Sequence, residues 1–384
     1  MSRLSGVPVS PVYLVEYVRM VERRGIRVTR FDVAEPLFDP PREAVEDTLK
    51  AIGEGVYRYS PPRGLPELVE AVSRFLERTR GVEYDEEEII ITPGGKFAVY
   101  AAFASLLRPG DEVLTISPCW VTFRALPMIM GGRAVEVPMK RPFGLDEEAL
   151  KEAVTDRCRL IVLNNPHNPT GWVFTREELK AVADIAEDHN LTVISDEVDW
   201  PYVYEGVHVS IASLPGMKER TLVVDSFSKA YSMTGWRVGF AAGPKWLIDD
   251  MLVIQQHSVS SPTTFAQAGC VRVLERFEES VSSVVGECRW NRDYIVSELS
   301  RFELLECPKP PGGFSLFPSI EGLGVGSMRL MELMLDYGVA VAPGELFGEA
   351  YRSHFRMCYA MPRWMVVEGV RKLVRFLEDR PWEA

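Results

Sequence analysis

Between about residues 65 and 240, short apolar runs rich in β-branched residues recur, each followed by a helix-like stretch. This alternation leaves the chain few folds to adopt. Residues 88–92, 111–116, 159–163, 191–195 and 221–225 read as strands. Residues 97–107 read as a helix, and Thr175-Arg176-Glu177-Glu178 opens another in the manner of a capping box. Strands that are apolar at every position, not at alternate ones, are buried on both faces. That pattern predicts a mostly parallel sheet covered by helices. Polar residues and glycines gather just after the carboxyl ends of these strands, where open α/β sheets bind ligands. The general polarity of loops accounts for part of this, but not for Asp196 or for Ser226-Phe227-Ser228-Lys229 at such places.

The remaining segments follow a different pattern. Helix-like stretches at 275–299, 327–337 and 365–378 flank short strand candidates at 313–318, 339–341 and 354–359. A chain of 384 residues exceeds the usual size of one core. Two lobes are therefore expected: a large α/β lobe over 42–274, and a smaller α+β lobe assembled from 1–41 and 275–384. The net charge of −12, with no basic block, argues against nucleic acid or an anionic membrane as the main partner. No stretch approaches the roughly 18 apolar residues of a membrane span, and the first residues lack the apolar run of a signal peptide. The six cysteines are scattered, without a C-x-x-C pair or a nearby histidine. They suggest reduced thiols in the cytoplasm and no metal site.

The densest chemistry lies in Asp225-Ser226-Phe227-Ser228-Lys229-Ala230-Tyr231-Ser232-Met233-Thr234-Gly235-Trp236-Arg237-Val238-Gly239. A lysine among hydroxyls at a strand end, with an arginine close behind, suits a carbonyl-reactive amine beside a phosphate. A bare Ser-x-Ser-Lys is an ordinary solvated loop; the fifteen-residue block is not. It closely resembles the cofactor-lysine signature of the class I and II aminotransferases, pyridoxal-phosphate enzymes of fold type I. Tyr59-Ser60-Pro61-Pro62-Arg63-Gly64, Gly94-Gly95-Lys96, Ser117-Pro118-Cys119-Trp120, Asn165-Pro166-His167-Asn168-Pro169-Thr170-Gly171, Ser195-Asp196-Glu197, Pro343-Gly344-Glu345 and Phe355-Arg356-Met357 extend the likeness along nearly the whole chain, in order.

The resemblance implies a mostly parallel seven-stranded-type sheet and pyridoxal 5′-phosphate held by Lys229 as a Schiff base. It implies a phosphate site made by Gly95, Lys96, Ser226 and Arg237, with Ser228 near. Trp120 would stack on the ring, Asn168 would bond the ring oxygen, and Asp196 would pair with the ring nitrogen and keep it protonated. Arg356 would take the substrate α-carboxylate as a bidentate partner. Tyr59 would serve the neighbouring subunit's phosphate, which implies a homodimer with shared sites. The implied reaction moves an amino group between an L-amino acid and a 2-oxo acid in two half-reactions.

The sequence departs from that pattern at three places. Asp199 stands where relatives carry a tyrosine that donates to the ring oxygen, so either it points away or Asn168 is left as the chief partner. A shifted pH profile is expected either way. Ala34 replaces a glycine in the segment that covers the substrate. Gln255-Gln256-His257-Ser258 offers no arginine for a distal carboxylate, although Arg124 is near enough in sequence to Trp120 to be considered. Two rival activities follow: β-elimination at a C–S bond on the same fold, which Asp199 favours, and a non-catalytic binding module. The complete set of Lys229, Asp196, Asn168, Arg237 and Arg356 weighs against the second. The amino donor and acceptor stay open.

Overall fold

The computed structural model describes residues 6–8 and 14–383; the first part of the expected 1–41 segment lies largely outside them. Seven strands form one sheet: β1 (Ile89–Thr92), β2 (Glu112–Ser117), β3 (Arg133–Pro138), β4 (Cys158–Asn164), β5 (Thr192–Asp196), β6 (Thr221–Ser226) and β7 (Gly239–Ala242). Their order across the sheet is β1-β7-β6-β5-β4-β2-β3. Only β7 runs against its neighbours; the pairs β6/β5, β5/β4, β4/β2 and β2/β3 are parallel. The expected architecture is therefore present.

Continuous burial has the predicted cause. Along β4, Leu160 and Val162 face a core shared with helix α2 (Gly95–Leu106) and the helix Lys245–Gln256. Ile161 and Leu163 face the opposite core, against the helix Arg176–Asp188. Each central strand is thus covered twice. The helix α1 (Pro66–Arg80) carries proline in its first turn, where no intrahelical donor is missed. It packs Leu68, Val72, Phe75 and Leu76 against β1 and β7 through Ile89, Ile91 and Phe240. At Thr175 the capping box is formed in full: Thr175 Oγ1 accepts from the Glu178 amide at 3.2 Å, and Glu178 Oε2 accepts from the Thr175 amide at 2.8 Å.

Outside the large sheet, Ser315–Leu316, Ala342–Pro343 and Phe355–Cys358 make a three-stranded antiparallel sheet, in the order Ala342–Pro343, Phe355–Cys358, Ser315–Leu316. Thr29–Arg30 pairs in parallel with Val339–Ala340. The helices Leu14–Arg23, Phe277–Leu299, Ser327–Asp336 and Arg363–Asp379 share one core with these strands, joined by Tyr202 and Tyr204. Among the described residues no helix is long and apolar enough to cross a membrane.

The chain turns back from β2 and β3 to reach β4, so strand order reverses between β2 and β4. Such a switch point opens a crevice at the carboxyl edge of a parallel sheet. One close approach shapes this crevice. A Cβ on Gly239 would lie 2.6 Å from the Gly95 nitrogen and 2.7 Å from the Gly94 carbonyl carbon. Both obstacles are backbone and cannot rotate aside. Gly239→Ala should destabilise the protein by about 1–3 kcal/mol. Gly286→Ala, mid-helix with nothing within 4 Å of the added carbon, should stabilise by roughly 0.5 kcal/mol. Urea unfolding of the two variants should show opposite signs; the same sign in both would contradict the packing described.

Candidate active site

A cavity of about 300 Å³ opens at this edge. Gly95 and Lys96 reach it from the start of α2, and Trp120 from the turn after β2. Asn164 ends β4 and Asn168 follows it, Asp196 ends β5 and Asp199 follows it, and Ser226 ends β6 with Ser228 and Lys229 just beyond. Arg237 precedes β7, and Ala34 closes the cavity from the segment after Thr29–Arg30.

Backbone bonds set each group in place. Asn164 Nδ2 and the Asn165 amide both donate to the Asp196 carbonyl, each at 3.0 Å. The Asn168 amide donates to Asn164 Oδ1 at 2.8 Å, so one asparagine that the sequence motifs passed over ties two site loops together. The Val198 amide donates to Asp196 Oδ1 at 3.3 Å. At the other end, Arg237 has φ of 56° and directs its guanidinium at the Pro93 and Thr234 carbonyls. Gly94, with φ of 83°, is where that guanidinium fits: a Cβ there would meet Arg237 Nη2 at 2.6 Å.

Burial dominates the electrostatics. It lowers the pKa of the Lys229 amine, although the nearby Asp199 opposes the shift. Lys229 Nζ donates to the Ala34 carbonyl, a neutral acceptor. Burial likewise pushes the Asp196 carboxyl up to about 7, assisted by the neighbouring charges of Asp199, Asp225 and Glu197. Lys96 is lowered by burial and by Arg237, and its Nζ lies 5.4 Å from the Trp120 ring centre. A desolvated amine and a carboxyl without a cation thus share one cavity.

Arg356 is buried in the strand Phe355–Cys358 and joins the site through Asn168, whose Oδ1 accepts from Nη1 at 3.2 Å. Its Nη2 donates to the Asp32 carbonyl at 2.7 Å. Its Nε is buried and has no hydrogen-bond partner among the described residues. Asp199 does not point away: it lines the cavity, is buried, and its Oδ1 is also without a partner among the described residues. Burial raises the Asp199 carboxyl to about 6, against the pull of Lys229 and Arg356.

Three residues considered from sequence lie elsewhere. Tyr59 is 86% exposed and does not line this chain's cavity. Arg124 spends its charge on Glu136 at 3.5 Å and on the Leu346 carbonyl at 2.8 Å, and does not line the cavity. His257 is exposed at the end of the helix Lys245–Gln256. Thr234, unremarked in the sequence, lines the cavity and bonds Glu35.

Comparison with known proteins agrees with this geometry. Residues 26–373 match the family model described as Aminotransferase class I and II. The chain is 35% identical to an aspartate aminotransferase of Musicola paradisiaca, over 98% of this chain and 96% of the other. It is 36% identical to aromatic-amino-acid aminotransferase 2 of Thermococcus litoralis over 91% of each. Among solved structures, aspartate aminotransferase from Thermus thermophilus with maleate superposes with a TM-score of 0.92 at 33% identity, covering 98% of this chain and 99% of that one. These names do not favour β-elimination. Matched in sequence over nearly its whole length and superposed on the same sheet, this chain belongs to the class I and II aminotransferase family.

Proposed function

We propose that the cavity holds pyridoxal 5′-phosphate and that the chain uses it to pass an amino group from an L-amino acid to a 2-oxo acid. The observation that carries this is a half-buried Lys229 amine, its pKa lowered by desolvation, opening into the same cavity as Asp196 and Arg237. The groups left unsatisfied fit the cofactor. The raised Asp196 carboxyl lacks the cation that a protonated ring nitrogen would supply. The amides at the start of α2, the Ser226 and Ser228 hydroxyls and the Arg237 guanidinium suit a phosphate. Trp120 offers the face of its ring, and Lys96 adds positive charge.

Bound there, the cofactor supplies an aldehyde and an electron-accepting ring. The chain's own residues do the rest. Lys229 Nζ, whose hold on a proton burial weakens, is both the attachment point and the base that takes the proton from the substrate Cα, returning one in the reverse half-reaction. Arg356, with its free Nε, binds the α-carboxylate and so fixes the direction of that C–H bond. Asn168 is held by Arg356 and oriented toward the cavity. Ala34 forms the wall opposite Lys229, excludes water there, and anchors the amine by its carbonyl.

We further propose a cytoplasmic homodimer in which Tyr59 reaches the partner's phosphate site. Tyr59, Tyr57 at 62% and Leu49 at 64% exposure leave apolar surface that a second copy would cover. The division into a large lobe of residues 42–274 and a small one of 1–41 and 275–384 belongs to the same proposal. The names of the relatives support aspartate or an aromatic amino acid as donor.

Lys229→Ala should lower transamination by on the order of a thousandfold or more while the chain stays folded. The check is conversion of the cofactor's visible absorbance by a panel of amino acids; a near-normal rate would refute the assignment. Asp199 yields a second expectation. Its carboxyl titrates near 6 in the folded chain against an ordinary 3.8, so folding tightens its hold on the proton. The resulting stabilisation is complete below about pH 4 and is lost as the pH rises through about 6. Asp199→Asn should therefore gain stability relative to the parent between about pH 5 and pH 7.5, by about 1 kcal/mol. Urea unfolding of the cofactor-free proteins at the two pH values measures this, and a pH-independent difference would contradict it.

A further inference from the structure

Beside Asp196 and Ser226 lies a charged cluster that none of the chemistry above uses. Arg80, the last residue of α1, has a fully buried side chain. Its Nε donates to Glu197 Oε2 at 2.7 Å and its Nη2 to Asp225 Oδ2 at 2.7 Å. The guanidinium carbon lies 4.1 Å from the Trp200 ring centre, and Nη1 donates to Thr79 Oγ1 at 2.9 Å. Glu197 Oε1 accepts from Ser195 Oγ at 2.9 Å and from Ser210 Oγ at 2.6 Å, while His208 Nε2 stands 3.8 Å from Oε2. Asp225 Oδ1 accepts from the Ser226 amide at 2.6 Å.

Where these carboxylates sit in the chain matters. Glu197 directly follows Asp196, and Asp225 directly precedes Ser226, three residues before Lys229. The Glu197 amide to Val224 carbonyl bond, 2.9 Å, carries the β5/β6 ladder one step past the end of β5. Past it the two chains part, one toward Asp199 and the other toward Lys229. A planar guanidinium that forks between two carboxylates fixes their separation in a way that a point charge does not. Buried ion clusters of this kind stabilise poorly compared with apolar packing of the same volume. Their presence at two strand ends calls for another reason.

We propose that Arg80 is a positioning residue: by bridging Glu197 and Asp225 it sets the distance between Asp196 on one strand end and the Ser226–Lys229 segment on the next. This rests on the assignment of those residues to the cofactor site, and one arm of the test is independent of that assignment. Hydrogen–deuterium exchange is followed on the full chain, with and without pyridoxal 5′-phosphate, alongside the cofactor's dissociation constant and kcat. Arg80→Lys keeps the charge but loses the fork. It should raise exchange at residues 195–199 and 224–229 about tenfold and weaken cofactor binding and kcat by roughly tenfold, with other segments unchanged. Arg80→Met leaves two buried carboxylates unpaired and should cost thermal stability as well.

Combining Arg80→Met with Glu197→Gln and Asp225→Asn removes all three charges. That variant should regain thermal stability yet keep the fast local exchange and weak cofactor binding. If it regains slow exchange and tight binding together with stability, the cluster only balances charge and the proposal is wrong. Exchange in Arg80→Lys identical to the parent would also overturn it. A parent chain that takes up no pyridoxal 5′-phosphate would sink the cofactor assignment alone, since the exchange arm still decides on Arg80.

Discussion

In a parallel sheet neighbouring strands finish at the same edge, and the whole site depends on that. The ladder from β4 through β5 to β6 pairs Asn164 with Asp196 and Asp196 with Val224. Asn164 and Asp196 therefore emerge side by side, with Ser226 two residues further along the next strand. An antiparallel arrangement would send alternate ends to opposite edges. A slip of one residue would turn Asp196 to the other face and leave Asn164 without the Asp196 carbonyl. Reversal of strand order between β2 and β4 adds the gap that the ladder alone does not provide.

In and beside this gap the fold gathers charges that it would be more stable without. A half-buried Lys229 and a buried Arg356 lie with Asp199, and Arg80 lies buried with Glu197 and Asp225. A buried charge is tolerable when paired and hydrogen-bonded. Most of these are, but Arg356 Nε and Asp199 Oδ1 have no partner among the described residues. Native interiors leave few such atoms, and those they leave tend to mark places where a ligand completes the bonding. Raised carboxyls at Asp196 and Asp199 with a lowered amine at Lys229 have the same origin.

Double burial made the central strands legible in the sequence, since the middles of β4 (160–163), β5 (193–194) and β6 (222–224) are continuously apolar. Two strands were not legible. In β3, an edge strand, Arg133, Glu136 and Pro138 are exposed, so its pattern reads as polar loop. In β7, the run Gly239-Phe240-Ala241-Ala242 has little β-branched signal, and it adjoins the lysine block that already had an interpretation. Likewise 313–318 yields only Ser315–Leu316 as strand. Within the site, Lys229, Asp196, Asn168 and Arg237 stood out because the motifs that carry them resemble those of the class I and II aminotransferases. Arg80 did not: an arginine in the last turn of an amphipathic helix reads as solvated, and only long-range packing buries it. Asp199 was visible as a departure, but which way it points depends on the turn after Asp196.

The substitution of Ala34 for glycine becomes intelligible in the same terms. The short segment from Asp32 to Ala34 meets the site with its backbone: the Asp32 carbonyl accepts from Arg356 Nη2, and the Ala34 carbonyl accepts from Lys229 Nζ. Carbonyl acceptors do not depend on the side chain at position 34, so a methyl group there alters the cavity wall and leaves both bonds intact. One stretch of main chain thus meets both Lys229 and Arg356, one following a strand of the large sheet and one within the small. Because Phe31 is itself held in place by the Ala340 carbonyl and by the Cys358 amide, the position of this segment is set by the smaller sheet. The geometry at Lys229 is therefore a joint product of two cores, and a change in the packing of either one is felt at the amine.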